Sequence, residues 1–506
     1  MATYALTGSA RANSSAALRA ARENYLLVHI AATAVVVVVS ASLAAGITPS
    51  ISAASVLFTL CIAWILYSSA RLARSIVTPY WIFVVVAAMF NGGYAFLQVF
   101  GLNANGVLDS RFSVAATSGA IIYSTLSMML LHSGALWRRT REREVAAEAP
   151  SEDLEKAAVW LGLLLVMVSA VPMYLQLRED FGDVLSVGYM GLYQRQIKTS
   201  LDAWQALLAQ FMLPGAFLLA SASKRHRGIQ RLSLVLAGIY ALSYLFMGYR
   251  GAAGAAMAAY GWIWHTRIRK LPLYPSLAAG ILVVFVVFPM IRLHRLTMGE
   301  DRLSWDSFMS TLDNYDNPAS ASLSEMGGTM ATLAYTMDLV PNDRDFEYGK
   351  TYAFAALTIL PNIFGTARHP SVERGTASDW LVRTVSYDTA ASGGGLGYSF
   401  IAEAYLNFGW MGPPLVMVLL GFGVAALESF AARSASPAAS SLMGVVLFFG
   451  LIYARAESTD IVRPIVWCGL LPLAVLALFV AQKKLWRRPA ITLRSHWQEH
   501  AVLESE

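Results

Sequence analysis

The sequence predicts an all-α polytopic membrane protein with about twelve transmembrane helices. Hydrophobic residues make up 56% of the 506 and charged residues 14%, against roughly 25% charged in soluble domains. The mean hydropathy is +0.52. The apolar residues also fall into runs of the ~20 residues that cross ~30 Å of hydrocarbon as a helix. A soluble fold cannot bury that much apolar surface, which excludes a cytosolic enzyme, a disordered scaffold and a nucleic-acid-binding domain.

The runs follow in order, each bounded by polar or basic residues. A polar opening with Arg11, Arg19 and Arg22 leads into Tyr25–Ala45, which has no clear stop and reads as a retained span rather than a cleaved signal. Ile51–Ala70 ends at Arg71 and Arg74, before Pro79–Phe100. Ser113–Leu136 runs into Arg138, Arg139, Arg141 and Arg143, and the polar stretch Glu142–Glu155 is an ordinary loop before Lys156–Leu175. Ala203–Ser221 is closed by Lys224, Arg225, Arg227 and Arg231. Leu232–Met247 and Ala252–His265 are separated only by a short turn around Arg250, and Arg267, Arg269 and Lys270 precede Leu273–Ile291. After a long segment come Met411–Phe430, Ala438–Tyr453 across Arg433, and Pro464–Ala481 before a basic tail from Lys483.

With the N-terminus inside, 23 of the 38 Lys and Arg fall on the inner side, and 8 of the rest lie in the one long loop. Long loops weigh little in setting orientation, so both termini are expected to be cytoplasmic. The net charge of +6 is then explained by inner-side clusters and anionic lipid, with no acidic ligand needed. Three regions result: a bundle of spans 1–9 over residues 1–291, a long outer loop over 292–410, and spans 10–12 with the tail over 411–506. Within the loop, Leu323, Met326, Met330, Leu333, Met337 and Val340 recur at helical spacing. They predict an amphipathic helix against the membrane or the bundle, opened by Ser322-Leu323-Ser324-Glu325 as a capping box. Tyr352–Leu360 is too short to span and is expected at the interface. Cys61 and Cys468 fall in apolar runs and read as small core hydrophobes.

The candidate chemistry lies at the outer ends of spans. Arg250, in Met247-Gly248-Tyr249-Arg250-Gly251, stands at a helix N-terminus where free N–H groups and the helix dipole favour an anion. An ionisable residue at that depth is a functional candidate; the plainer alternative is a snorkelling arginine on a lipid head group. Arg292, His294 and Arg295 leave the ninth span together, and Arg302 follows. Arg455 and Arg463 flank Glu457 and Asp460, an arrangement that also suits a local salt-bridged cap. Arginine fits phosphate because its planar fork stays charged and bonds in a bidentate manner. Between Gly397 and Gly412, Ser399, Glu403 and Asn407 form one polar stripe of a helix that also carries Tyr405. Glu403 is a general-base candidate there, against the alternative of a solvated helix face. His29, His132, His226 and His265 are expected to be structural, His294 and His369 are weaker base candidates, and Glu325 is explained as well by capping as by catalysis. There is no Walker loop, no Gly-x-Ser-x-Gly elbow and no metal-type His/Cys cluster.

The order of these features resembles the Wzy-type O-antigen polymerases, the bacterial oligosaccharide repeat-unit polymerase family. The likeness covers roughly the second half: the Gly-Tyr-Arg-Gly turn at 248–251, the long late outer loop, and Glu403-Ala404-Tyr405-Leu406-Asn407-Phe408-Gly409 before the next span. The resemblance implies a membrane glycosyltransferase (GT-C-like) architecture in the bacterial inner membrane with its active site facing the periplasm. Its substrates would be undecaprenyl-pyrophosphate-linked oligosaccharide repeat units, with membrane lipids and a chain-length-regulating membrane protein as partners, and no cofactor, metal or nucleic acid. Arg250, Arg292, Arg455 and Arg463 would hold the pyrophosphate, Glu403 or His294 would act as base, and Tyr249, Ser399, Tyr405 and Asn407 would bind or support the glycan. The related O-antigen ligases carry a His-Asn pair where this chain has Gly394-Gly395-Leu396-Gly397-Tyr398, which favours polymerase over ligase. A secondary transporter is the rival of another class. Against it stand the long late loop and the absence of a half-to-half repeat.

Overall fold

A computed structural model describes residues 8–73, 75–102, 108, 111–142, 152–189, 191–194, 200–224, 226–294, 306, 318–360, 369–434 and 436–486. Among these every regular element is helical. Ten stretches are long and apolar enough to cross a membrane: Arg22–Leu43, Ile51–Ala73, Pro79–Val99, Val114–Thr140, Glu152–Ser186, Trp204–Ala222, Arg227–Met247, Leu273–Arg292, Pro413–Ser434 and Ser458–Gln482. Each overlaps an expected run. The other two expected spans are helices of a different kind. Arg250–Ile263, continued by a π-helical turn over Trp264–Ile268, is rich in Ala and Gly, and Pro437–Tyr453 is apolar but only 17 residues long. Ala and Gly add little hydropathy but let neighbouring helices approach closely. Ten helices among the described residues are thus long and apolar enough to span, and the other two expected runs are helices that fall short of that length or hydropathy.

Val114–Thr140 and Trp204–Ala222 form the centre, each with 78% of its apolar window buried, whereas Leu273–Arg292, at 6%, turns nearly all its surface outward. The central contact is backbone to backbone. A Cβ at Gly134 would collide with the carbonyl of Val418, and one at Gly421 with the carbonyl of Leu131. Without a hydrophobic drive between helices in lipid, such close packing is what holds spans together. Local signals start the helices: Thr78 and Ser113 accept hydrogen bonds from Trp81 N (3.2 Å) and Ala116 N (3.1 Å).

The buried histidines His29 and His132 and the buried Arg139 are paired, as expected for structural residues. His132 lies 2.9 Å from both Ser68 Oγ and Tyr80 Oη, and His29 lies 2.9 Å from Ser133 Oγ. Arg139 donates to Glu428 at 3.0 Å. Cys61 and Cys468 are buried and unbridged.

The described residues of 318–410 fold into short helices laid on one end of the bundle. The expected single amphipathic helix is two, Pro318–Gly327 and Met330–Leu339, broken at Gly327-Gly328. Ser322 and Glu325 consequently lie inside the first helix and do not cap it. That helix is pressed onto Pro79–Val99: a Cβ at Gly327 would sit 2.5 Å from Tyr94 N, and one at Gly93 2.7 Å from Leu323 O. Ser322 Oγ donates to Val284 O at 2.7 Å. Met330, Leu333 and Val340 are buried in the common core. The apolar run from Tyr352 forms Lys350–Leu357, which packs on Ser458–Ile465. Arg295, Arg302 and Asn317 lie outside the described residues.

Candidate active site

Gly248, at φ 93°, closes the Arg227–Met247 helix, and Arg250 becomes the first residue of the next one after a turn of two residues. Its guanidinium already holds an anion. Both terminal nitrogens bond the two carboxylate oxygens of Glu325, one of them at 2.9 Å to Oε2, and Nη1 also donates to Phe288 O at 2.9 Å. The pair is 13% and 15% exposed. Arg292 Nε approaches the same carboxylate at 3.7 Å, with 43% of its side chain exposed. Burial pushes the Glu325 carboxyl up, but the Arg250 hydrogen bonds and the charges of Arg250, Arg292 and Arg455 together hold it below its ordinary value. Two guanidinium groups thus pair with one carboxylate, and a third acts on it through its charge.

Arg455 is exposed on the turn between Pro437–Tyr453 and Ser458–Ile465, against Gly397, where a Cβ would lie 3.1 Å from Arg455 Nε. That turn is gripped on every side. Asn91 Nδ2 donates to Ala454 O at 3.0 Å. Glu457, buried, forms a capping box with Asp460 and accepts from Ala377 N and Ser378 N at 3.0 Å each. Ser458 donates through both its N–H and its hydroxyl to Glu403 Oε2 at 2.8 Å. The cap expected in this stretch is made by Glu457 and Asp460 through backbone N–H groups. Arg463 is exposed on the next helix, and among the described residues no ion pair joins it to Glu325.

The polar stripe exists, but it faces inward. Ser399, Glu403 and Asn407 are all 0% exposed, so the solvated-face alternative is excluded. Ser399 caps Phe400–Phe408 and donates to Asn91 Oδ1. Asn407 Nδ2 donates to Thr351 Oγ1 at 2.7 Å, and its Oδ1 accepts from Gly349 N at 2.9 Å. Tyr405 packs edge-on to Tyr123 and donates to Val340 O at 3.4 Å. Tyr249 packs against Tyr189 and Tyr244, each with ring centroids 5.8 Å away. His294 ends the Phe288–His294 helix, two residues past Arg292, and its side chain lies outside the described residues.

Burial, with the charge of Glu457 behind it, pushes the Glu403 carboxyl up to about 7 despite the Ser458 and Thr351 hydroxyls. A carboxyl whose folded pKa exceeds its unfolded one binds extra proton when folded. Stability is therefore greatest below the ordinary value of 4.5 and is lost as pH rises through about 7. The span amounts to roughly 3 kcal/mol. Glu403→Gln keeps the acceptor oxygen for Ser458 and removes the titration. The melting temperature of the purified variant should then vary less than wild type between pH 5 and pH 8; an unchanged pH dependence would show that Glu403 does not titrate on unfolding.

Glu325 is the residue whose place the sequence disguises. Its Ser-x-x-Glu spacing imitates a capping box, while the Gly327-Gly328 pair beside it is the available sign of a close approach. Asn91 and Ser458 give no signal, since the contacts that tie them to this site come from partners distant in sequence.

A family model for the O-antigen polysaccharide polymerase Wzy matches residues 30–484. The chain belongs to that family. No curated relative and no solved structure matches it. As a Wzy-family protein it is an integral membrane polymerase of polysaccharide biosynthesis, and the family acts on lipid-linked oligosaccharide repeat units. The match spans both the Arg250 turn and the Arg455 turn, so the arginine cluster falls wholly within the family region.

Proposed function

We propose that the protein transfers a growing glycan from undecaprenyl pyrophosphate to a sugar hydroxyl of the next lipid-linked repeat unit, at the periplasmic face of the inner membrane. The observation that carries this reading is the meeting of Arg250 and Arg292 on Glu325, with the charge of Arg455 also felt at that carboxylate. In the step itself, the acceptor oxygen bonds to the anomeric carbon as the bond from that carbon to the pyrophosphate oxygen breaks. The electron pair leaves on the lipid pyrophosphate, and the hydroxyl proton passes to a base. Fixed guanidinium groups in a site of low dielectric stabilise the charge that develops on the leaving group. Arg292, the more exposed of the Glu325 pair partners, meets the pyrophosphate first. Arg250 then shares its fork with the incoming phosphate. A GT-C-like architecture with the two helices beyond the ten long spans also crossing is part of the same reading.

Glu403 enters this scheme as a positioning residue. It is enclosed, and the donors bonded to Oε2 are all protein groups from the Tyr453–Ser458 stretch that displays Arg455. The base role passes to His294, the next base candidate named from the sequence. Glu403→Gln should accordingly keep turnover within about tenfold, whereas proton removal by Glu403 would cost ~10²–10⁴.

The test is the glycan ladder of a deletion strain complemented with each variant. One repeat unit on the lipid core supports polymerase, none supports the ligase alternative, and an unchanged ladder with lost solute uptake supports a transporter. His294→Gln should give the one-unit pattern. Orientation has its own check. In a variant lacking Cys61 and Cys468, a cysteine at exposed Asp343 should react with an impermeant maleimide added from the periplasmic side. Labelling only after the cytoplasmic side is opened would invert the topology.

A further inference from the structure

At the far end of the Phe400–Phe408 helix from Arg455, the backbone is built in a way that no packing requirement explains. Tyr348, at φ 45°, is the one non-glycine residue with positive φ among those described, and its side chain is 73% exposed. A bulky residue pays for the left-handed region in steric strain, and such strain persists only where surrounding contacts over-determine it. Here they do. Three successive amides are tied to the end of one helix: Glu347 N to Leu406 O at 2.9 Å, Tyr348 N to Asn407 O at 3.0 Å, and Gly349 N to Asn407 Oδ1 at 2.9 Å. The backbone of Tyr348 is thereby fixed while the residue itself gains little burial.

The neighbouring charges are fixed as well. Arg344 and Arg374 both pair with Glu347, the second at 3.0 Å. Their guanidinium groups lie over the rings of Trp380 at 4.4 Å and Phe354 at 4.9 Å. Burial raises the Glu347 carboxyl, but the two arginines outweigh it and keep it ionised below the ordinary range. Around them Asn342, Asp343, Asp345 and Lys350 are exposed, so the surface is wet rather than lipid-facing.

We propose that Tyr348, with Arg344, Glu347 and Arg374, is a saccharide subsite that seats the glycan of a repeat unit. A flat, exposed ring on a fixed stretch of backbone suits the apolar C–H face of a pyranose, and fixed guanidinium and carboxylate groups suit its hydroxyls. Pre-organisation lowers the ordering cost of binding a flexible, weakly apolar ligand. The Phe400–Phe408 helix spans about 12 Å by its rise of 1.5 Å per residue, with Arg455 beside its first turn and Tyr348 beside its last. This deepens the proposed function by placing sugar recognition at the opposite end of that helix from Arg455, and it rests on that reading only for which glycan binds.

The probe is the host strain's own repeat-unit oligosaccharide, freed from its lipid by mild acid and followed by saturation-transfer NMR on the full-length protein in detergent. Tyr348→Phe keeps the ring and should bind within about twofold of wild type. Tyr348→Asn removes the ring while suiting positive φ, because Asn tolerates that region. Its melting temperature should equal or exceed that of wild type while oligosaccharide binding weakens about tenfold or more, the loss expected when an aromatic ring that the ligand covers is removed, and its polymer ladder should shorten. Wild-type binding by the Asn variant would overturn the subsite and leave Tyr348 as an interfacial tyrosine; absence of oligosaccharide binding by wild type would overturn it too. Ring-dependent binding together with normal polymer from an Arg250→Ala strain would instead keep the subsite and reject the pyrophosphate reading.

Discussion

Arg250→Ala should abolish long-chain polymer, with turnover down at least about 10²–10³, the scale set by losing one fixed donor to developing negative charge. Arg250→Lys should do little better. The observed fork places two nitrogens on two oxygens of one carboxylate, and an ammonium cannot reproduce that geometry on a carboxylate or a phosphate. Stability must be followed alongside, because removing one partner of a buried pair can cost about 3–5 kcal/mol. Here the cost should be smaller, since the carboxylate is partly exposed and keeps Arg292 at 3.7 Å. Both variants should therefore insert and accumulate. Full-length polymer from the Ala variant at normal expression would remove Arg250 from the site.

Much of the scaffold is legible in the residues alone. Long apolar runs separated by basic clusters fix where helices cross, because each signal lies within ~20 consecutive residues. The helices that fall outside the ten are the Ala- and Gly-rich one at 250–263 and the short one at 437–453, where close packing stands in for hydropathy. At the site, Arg250 and Arg292 are visible because a charge at the end of a span is costly anywhere. What they face is not. Glu325 is 75 residues from Arg250 along the chain, and periodicity says nothing about which carboxylate a guanidinium finds. The stripe of Ser399, Glu403 and Asn407 does lie on one helix face, yet a polar face beside an apolar one reads the same whether it meets water or other polar groups. Only the partners, Asn91, Ser458 and Thr351, make it internal.

The exchange Arg250→Glu with Glu325→Arg separates the two things the pair can do. If the pair only joins the Pro318–Gly327 helix to the turn at 250, reversing it should restore both accumulation and polymer. If Arg250 must present its fork to a pyrophosphate from the helix N-terminus, the exchange should restore accumulation alone. The cluster would keep three arginines and one carboxylate, so net charge cannot account for a difference. We expect wild-type protein levels with turnover still at least about 100-fold down, because the carboxylate at 250 would stand where the leaving group collects charge. Glu325→Gln supplies the complementary arm. It leaves the three arginines without their internal anion, so inorganic pyrophosphate, measured by its protection of the purified protein against heat, should bind more tightly than to wild type. Glu325 in the empty enzyme would then be a competitor that holds the arginines in place until the lipid pyrophosphate displaces it. Polymer restored by the exchange, or pyrophosphate binding unchanged in the Gln variant, would reduce Glu325 and Arg250 to a strut between two helices.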